Sequence, residues 1–194
     1  NKNLSEINFL QINQIQVEGM DQKNNFKLID SLHFLKIKNL FLLNETEIMK
    51  IINSNSLVEK YTVFKKYPTT IDIKITETKF LAQIIKSGNI FVLGTNGKLT
   101  KLIKLRKDVP FIFGDFQNDH FFNLKNAIDD SGFNYNQIEK FYYFKSGRWD
   151  IKTKNGLLIK LPKNEIKKSL KRLINIIDQN QDMKIKQIDL RQYN

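Results

Sequence analysis

The 194-residue chain has no cysteine, three prolines, eight glycines and a single tryptophan. Without thiols, disulfide stapling, thiolate catalysis and cysteine-held metals are excluded, and the redox compartment is left open. No stretch approaches the ~18 consecutive apolar residues that signal a bilayer span, so the chain as given reads as a soluble segment. Arginine is scarce as well: Arg106, Arg148, Arg172 and Arg191 stand against 28 lysines. The net charge of +12 points first to nucleic acid or an anionic membrane surface. Readers of phosphates and bases favour the planar fork of arginine, however, and these lysines are scattered. Lysine, isoleucine and asparagine together supply 76 residues, a bias that an AT-rich genome explains as readily as selection for a polyanion.

What is present is alternation and helical spacing in a definite order. Residues 1–9 read as a linker. Ile15 and Val17, separated by polar residues and stopped by Gly19, read as a short half-buried strand. The spacing of Phe26, Ile29, Leu32 and His33 predicts a helix over 25–36. Asn44, with Glu47 three residues on, predicts the cap of a second helix over 45–53, and this use of Asn44-Glu45-Thr46 is favoured over that of a glycosylation acceptor. Val58 to Tyr67 and Thr70 to Thr78 are two strands joined at Pro68-Thr69. In the second, Ile71, Ile73 and Ile75 alternate with Asp72, Lys74 and Thr76, which predicts one buried and one wet face. Strand, helix, helix, strand, strand in so short a span predicts a small α/β unit with its helices on one face.

Beyond Glu77 the pattern becomes a meander, with strands over 80–86, 90–94 and 98–105 and turns at Gly88 and Asn96-Gly97. Phe111 to Asp115 leads into a helix over 118–130, and a strand follows over 138–145. Arg148 to Pro162 reads as two strands around Asn155-Gly156, a pair that tolerates the positive φ of a tight hairpin turn. Ile166, Leu170, Leu173, Ile174 and Ile177 then predict a helix over 163–178, and Lys184 to Arg191 returns as a terminal strand. This predicts a second domain over 79–194, a largely antiparallel sheet with two helices.

Asp115, Asp119 and His120 form the best catalytic candidate, but a hydrolase requires them to converge with a third ligand or a nucleophile; the plainer reading makes Asn118 or Asp119 a helix cap. Phe141 to Phe144 imitate a base-stacking platform, yet alternate strand residues face opposite ways, which favours core packing. His33 reads as a boundary residue, and the lysines over 163–178 as the solvated face of a helix. The last strand is the remaining candidate: as an edge it exposes N–H and C=O groups that can accept a strand from another protein, and edge geometry points to Lys186, Ile188 and Tyr193 as contacts.

Several stretches resemble one family, the extracytoplasmic part of the bacterial cell-division protein FtsQ, called DivIB in some lineages. Ile12 to Gly19 is similar to the opening strand and glycine of its POTRA domain. Lys65 to Pro68 followed by Thr70 to Glu77 is similar to its strand pair. Gly97, Arg148 to Ile151, Asn155-Gly156, Lys160 to Pro162 and Ile188 to Arg191 follow in the family's order. The resemblance implies an α+β chain: a linker over 1–9, a β-α-α-β-β POTRA domain over 10–78, and a β domain over 79–194 with a C-terminal edge strand. It further implies a non-enzymatic divisome scaffold in the periplasm, held to the inner membrane by a single span upstream, without metal, cofactor or nucleic acid. The implied partners are FtsB and, with it, FtsL, bound partly by strand addition, with further divisome contacts through the POTRA domain. Arg191 carries over as a partner contact by its place in Asp189-Leu190-Arg191. A basic nucleic-acid-binding protein, or a POTRA-type polypeptide-binding module of another membrane assembly system, are the alternatives.

Overall fold

The first sheet is organised by β3 (Thr70–Glu77), which lies between β1 (Gln14–Glu18) and β2 (Val58–Lys66). β1 runs parallel to β3, with Ile15 opposite Ile71, and β2 runs antiparallel, with Val63 opposite Ile73. The alternation in β3 does what its period demands: Ile71, Ile73 and Ile75 are buried against Leu28, Leu35, Ile48 and Ile52. Asp72 departs from the expected wet face, being only 5% exposed. Lys66 reaches over it at 2.6 Å and keeps its charge compensated. The fold is that of a computed structural model, which describes residues 10–179 and 185–191.

Two helices cover one face of this sheet. α1 (Gln22–Ser31) starts three residues before the spacing predicts, because Asp21 accepts the Asn24 N–H at 3.0 Å and caps it. After Leu32 the chain tightens into a 3-10 turn, His33–Ile37, through the Leu35 N–H to Leu32 C=O bond. The buried stripe is Leu28, Leu32 and Leu35, whereas Phe26 is 60% exposed and His33 lies on the surface. The tighter turn is what lets Leu32 and Leu35 both reach the core. α2 (Glu45–Ser54) begins as expected, with Asn44 accepting from the Thr46 N–H at 3.0 Å.

A second, eight-stranded sheet has the order β11-β10-β9-β8-β7-β4-β5-β6. Its strands are β4 (Phe80–Lys86), β5 (Asn89–Gly94), β6 (Leu99–Leu102), β7 (Phe111–Phe113), β8 (Ile138–Tyr143), β9 (Trp149–Thr153), β10 (Leu158–Lys160) and β11 (Gln187–Asp189). The short links within β4-β5-β6 and β8-β9-β10 permit only antiparallel neighbours. The pairs β4-β7, β7-β8 and β10-β11 are parallel. The last two are closed by crossover helices, α3 (Asn118–Ser131) after β7 and α4 (Ile166–Gln179) after β10.

Local chemistry explains where these elements stop. β6 ends at Leu102 rather than running to Leu105, because the buried amide of Gln83 takes the C=O groups of Arg106 (2.6 Å) and Val109 (3.1 Å) and accepts the Arg106 N–H (2.8 Å). That clip holds the following chain out of the ladder. α4 begins at Ile166 rather than Lys163, since Glu165 has φ +56°, outside the helical range. α3 is preceded by Gln117, which makes no side-chain cap, and Asp119 stands in the first turn, where the helix dipole favours its charge. Backbone contacts group the chain into two compact units: residues up to Phe80 with Gly94–Thr100, and Leu81–Leu93 with residues from Lys101 onward.

Candidate functional site

The cross-strand register of the second sheet sorts its side chains into two faces. Ile112, Phe141, Ile151, Ile159 and Ile188 form one row across β7 to β11, and all five are buried. Next to it on the opposite face runs a row of another character: Phe113, Tyr142, Asp150, Lys160 and Asp189. Tyr142 stacks on Phe113 at 5.3 Å, and charges alternate from Asp150 to the rim. The aromatic run 141–144 is therefore split, with Phe141 in the core and Tyr142 on the opposite face.

β11 is the last strand on its side of the sheet among the described residues. The Leu158 N–H donates to the Lys186 C=O at 2.9 Å, and the Leu190 N–H donates to the Lys160 C=O at 2.9 Å. In a parallel ladder these bonds place the backbone groups of residues 186, 188 and 190 toward β10. Those of Gln187 and Asp189 point away, and among the described residues nothing pairs with them. An open rim with two N–H and two C=O groups is the result.

The expected contact residues take different places around this rim. Lys186 is exposed beside it. Ile188 is 9% exposed and gives the rim neither side chain nor free backbone; it anchors the strand. Arg191 folds back on Asp189, its Nε donating to Oδ1 at 2.7 Å while Nη2 donates to Oδ2. Tyr193 lies outside the described residues. Gln187 and Asp189, whose backbones form the rim, were not singled out by the sequence. Their polarity shows which face their side chains take, but which edge their backbones face depends on where β10 lies.

The pair at the rim sets its electrostatics. Hydrogen bonds from the Arg191 guanidinium hold the Asp189 carboxyl down at about 2. A carboxyl that holds its proton more weakly folded than unfolded stabilises the fold above about pH 4 and loses that contribution as pH falls through about 2. Asp150 is shifted the opposite way: burial raises it, against the pull of Arg148, Arg191 and Lys160. In a carbon-detected NMR titration, Asp189 is expected to remain ionised at pH 3, and Arg191→Ala to raise it toward the ordinary carboxylate range, the backbone N–H of residue 191 and Lys160 still holding it somewhat down. Wild-type titration near 4 would show that the pair does not persist in solution.

The Asp115, Asp119 and His120 cluster does not converge. His120 stacks on Tyr143 at 5.3 Å, with its Nδ1 2.9 Å from the tyrosine hydroxyl, and neither carboxylate bonds to it. Among the described residues no group of three histidine or acidic side chains is placed to hold a metal, and no helix is long and apolar enough to cross a membrane.

The family model described as cell division protein FtsQ/DivIB, C-terminal, matches residues 81–191, and that of the FtsQ-type POTRA domain matches residues 10–78. The cell division protein FtsQ of Rickettsia bellii is 24% identical over 98% of this chain and 72% of its own length. That of Rhizobium meliloti is 24% identical over 93% of this chain and 60% of its own length. The major extracytoplasmic domain of the cell division protein DivIB from Geobacillus stearothermophilus aligns over 54% of this chain and 98% of its own with 15% identity and a TM-score of 0.39. With one model spanning the sheet that carries the rim and another spanning the smaller sheet before it, the chain belongs to the FtsQ/DivIB family of bacterial cell-division proteins.

Proposed function

We propose that this chain is the extracytoplasmic part of a non-enzymatic divisome scaffold, and that it binds an FtsB-type partner, and FtsL through it, by adding a partner strand at β11. The observation that carries the reading is the open backbone of Gln187 and Asp189 at the end of an eight-stranded sheet. Strand addition satisfies such groups directly, and neighbouring side chains then select the partner. Lys186 is exposed at the rim, and Lys160 lies opposite Asp189, so a strand or helix bearing carboxylates is favoured. Arg191 joins the contact by exchanging Asp189 for a partner carboxylate, or by presenting the pair as a unit. Tyr193, outside the described residues, is proposed as a further partner contact. In this reading the membrane anchor belongs to a segment outside this chain, the first domain spans 10–78 and adds divisome contacts, and the second spans 79–194.

The test separates recognition from folding. Gln187→Pro removes one outward N–H and adds a ring to the rim while leaving every bond to β10 in place. Affinity for the FtsB-type ectodomain of the same organism, measured by calorimetry, is expected to fall about tenfold or more, from a lost ladder bond and a steric block. The melting temperature is expected to change little. An unaltered affinity in a folded variant would reject strand addition at this edge.

A further inference from the structure

The end of β6 and the chain leading to β7 have a composition that partner binding at the opposite edge of the sheet does not use. Residues 101–107 read Lys-Leu-Ile-Lys-Leu-Arg-Lys. Ile103 is fully exposed and Leu105 is 51% exposed. Arg106 is paired with Asp108, its Nε 2.9 Å from Oδ1. Lys101, Lys104 and Lys107 form no ion pair among the described residues.

This exposure is built into the fold. Gln83, 4% exposed, grips the loop through Arg106 and Val109, and its own N–H donates to the Pro110 C=O at 2.9 Å. The loop curls around an open hollow of about 660 Å³ lined by residues 101–108. Two bulky aliphatic side chains are thus held in water among lysines that form no ion pair among the described residues, the one carboxylate of the loop, Asp108, being taken by Arg106. Contiguous exposed apolar groups of this kind mark an interaction surface.

We infer that this loop is a membrane-contact element: Ile103 and Leu105 enter the acyl boundary of a bilayer, while Lys101, Lys104 and Lys107 meet the phosphates of anionic headgroups at its surface. A bilayer fits better than an acidic protein because Ile103 is fully exposed at the lip of an open hollow, and a fluid surface accepts it without shape complementarity. Alternating aliphatic and lysine residues match the layered chemistry of an interface, apolar below and anionic above. The inference is independent of the partner reading and leaves β11 free.

Vesicle flotation with the full chain tests it. Binding is expected to vesicles containing about a quarter phosphatidylglycerol and to be weak with phosphatidylcholine alone. Each lysine near an anionic surface strengthens partitioning about fivefold, so the triple change Lys101→Gln, Lys104→Gln, Lys107→Gln is expected to weaken it about a hundredfold. Ile103→Asp with Leu105→Ser retains all three lysines and is expected to cost about tenfold or more. In Ile103→Trp, the fluorescence in excess of the parent's is expected to shift to the blue on vesicle addition. Glycerol phosphate in excess is expected not to displace the chain. Absence of binding overturns the proposal. So does binding unchanged in the Ile103 and Leu105 variant, which would reflect general adsorption of a cationic chain, and so does displacement by glycerol phosphate, which would indicate a site for free phosphate.

Discussion

Gly19→Ala is expected to destabilise the smaller unit by about 3 kcal/mol, a large share of what a domain of that size has to lose. Gly19 follows β1 with φ +111°, and a Cβ built there lies 1.9 Å from the carbonyl oxygen of Ile75. Ile75 is only 7% exposed and sits in the central strand, so its carbonyl cannot retreat without shifting the row formed with Ile71 and Ile73. Two effects add: the positive φ costs about 1–2 kcal/mol for a side chain, and the backbone contact demands a displacement. Gly88→Ala separates them, because Gly88 has φ +73° and nothing within 4 Å of a built Cβ. It is expected to show the conformational cost alone. The only tryptophan, Trp149, belongs to the other unit. Far-UV circular dichroism of Gly19→Ala is therefore expected to show an early transition, lower by about 15 °C, while tryptophan fluorescence melts close to the parent. Equal effects of Gly19→Ala and Gly88→Ala would show that the close approach to Ile75 does not exist in solution.

Gly19 also shows what kind of information the sequence carries well. A glycine after a short alternating strand is a local signal, and so are the alternation of Ile71, Ile73 and Ile75 and the Asn44 cap; these were legible because each depends on a few neighbouring residues. Where two local patterns compete, spacing alone does not decide. Phe26, Ile29, Leu32 and His33 have helical spacing, but so do Leu28, Leu32 and Leu35, and only packing decided for the leucines. The hairpin at Asn155-Gly156 is present, with Gly156 at φ +90°. Its strands stop at Thr153 and resume at Leu158 because the Thr153 hydroxyl accepts the Leu157 N–H at 3.0 Å and fills the gap with a wider loop.

Non-local features were the least legible. Parallel pairing of β10 with β11 joins strands separated by a helix, and nothing in Lys184 to Arg191 specifies the direction or the side of approach. Register then decides which backbone groups stay open. Sequence gives the terminal strand and its apolar residues, whereas the structure assigns Ile188 to anchoring and Gln187 and Asp189 to the rim. Similarly, Arg191 has a recognisable place in a motif, but its fork is engaged by the neighbouring Asp189, which only coordinates reveal. The clip by Gln83 is of the same sort: a buried glutamine within a strand gives no sign that it holds a loop more than twenty residues away.

Trp149→Ala is expected to cost the larger unit about 3–5 kcal/mol. Trp149 is 2% exposed, with ring centroids of Tyr143 at 4.6 Å, Phe116 at 5.7 Å, Phe141 at 6.2 Å and Phe121 at 6.3 Å. Phe121 and Phe141 are fully buried and come from α3 and β8. They cannot collapse into the space left by an indole without breaking the contact of helix on sheet, so a cavity adds to the lost transfer energy. Trp149→Phe keeps part of the filling and is expected to cost about 1–2 kcal/mol. Urea unfolding followed by circular dichroism reads both, with an unchanged slope showing that the same surface is exposed. A loss below about 1.5 kcal/mol for alanine would mean that the aromatic cluster is loosely packed. Trp149 also begins β9, and its C=O accepts the Leu161 N–H at 3.1 Å, so it supports the strands that carry the rim. Its effect on partner binding should nevertheless follow only the folded fraction, whereas Gln187→Pro should weaken binding in a fully folded chain. The two variants pull stability and recognition apart because the tryptophan acts on the covered face of the sheet and the rim acts at its edge.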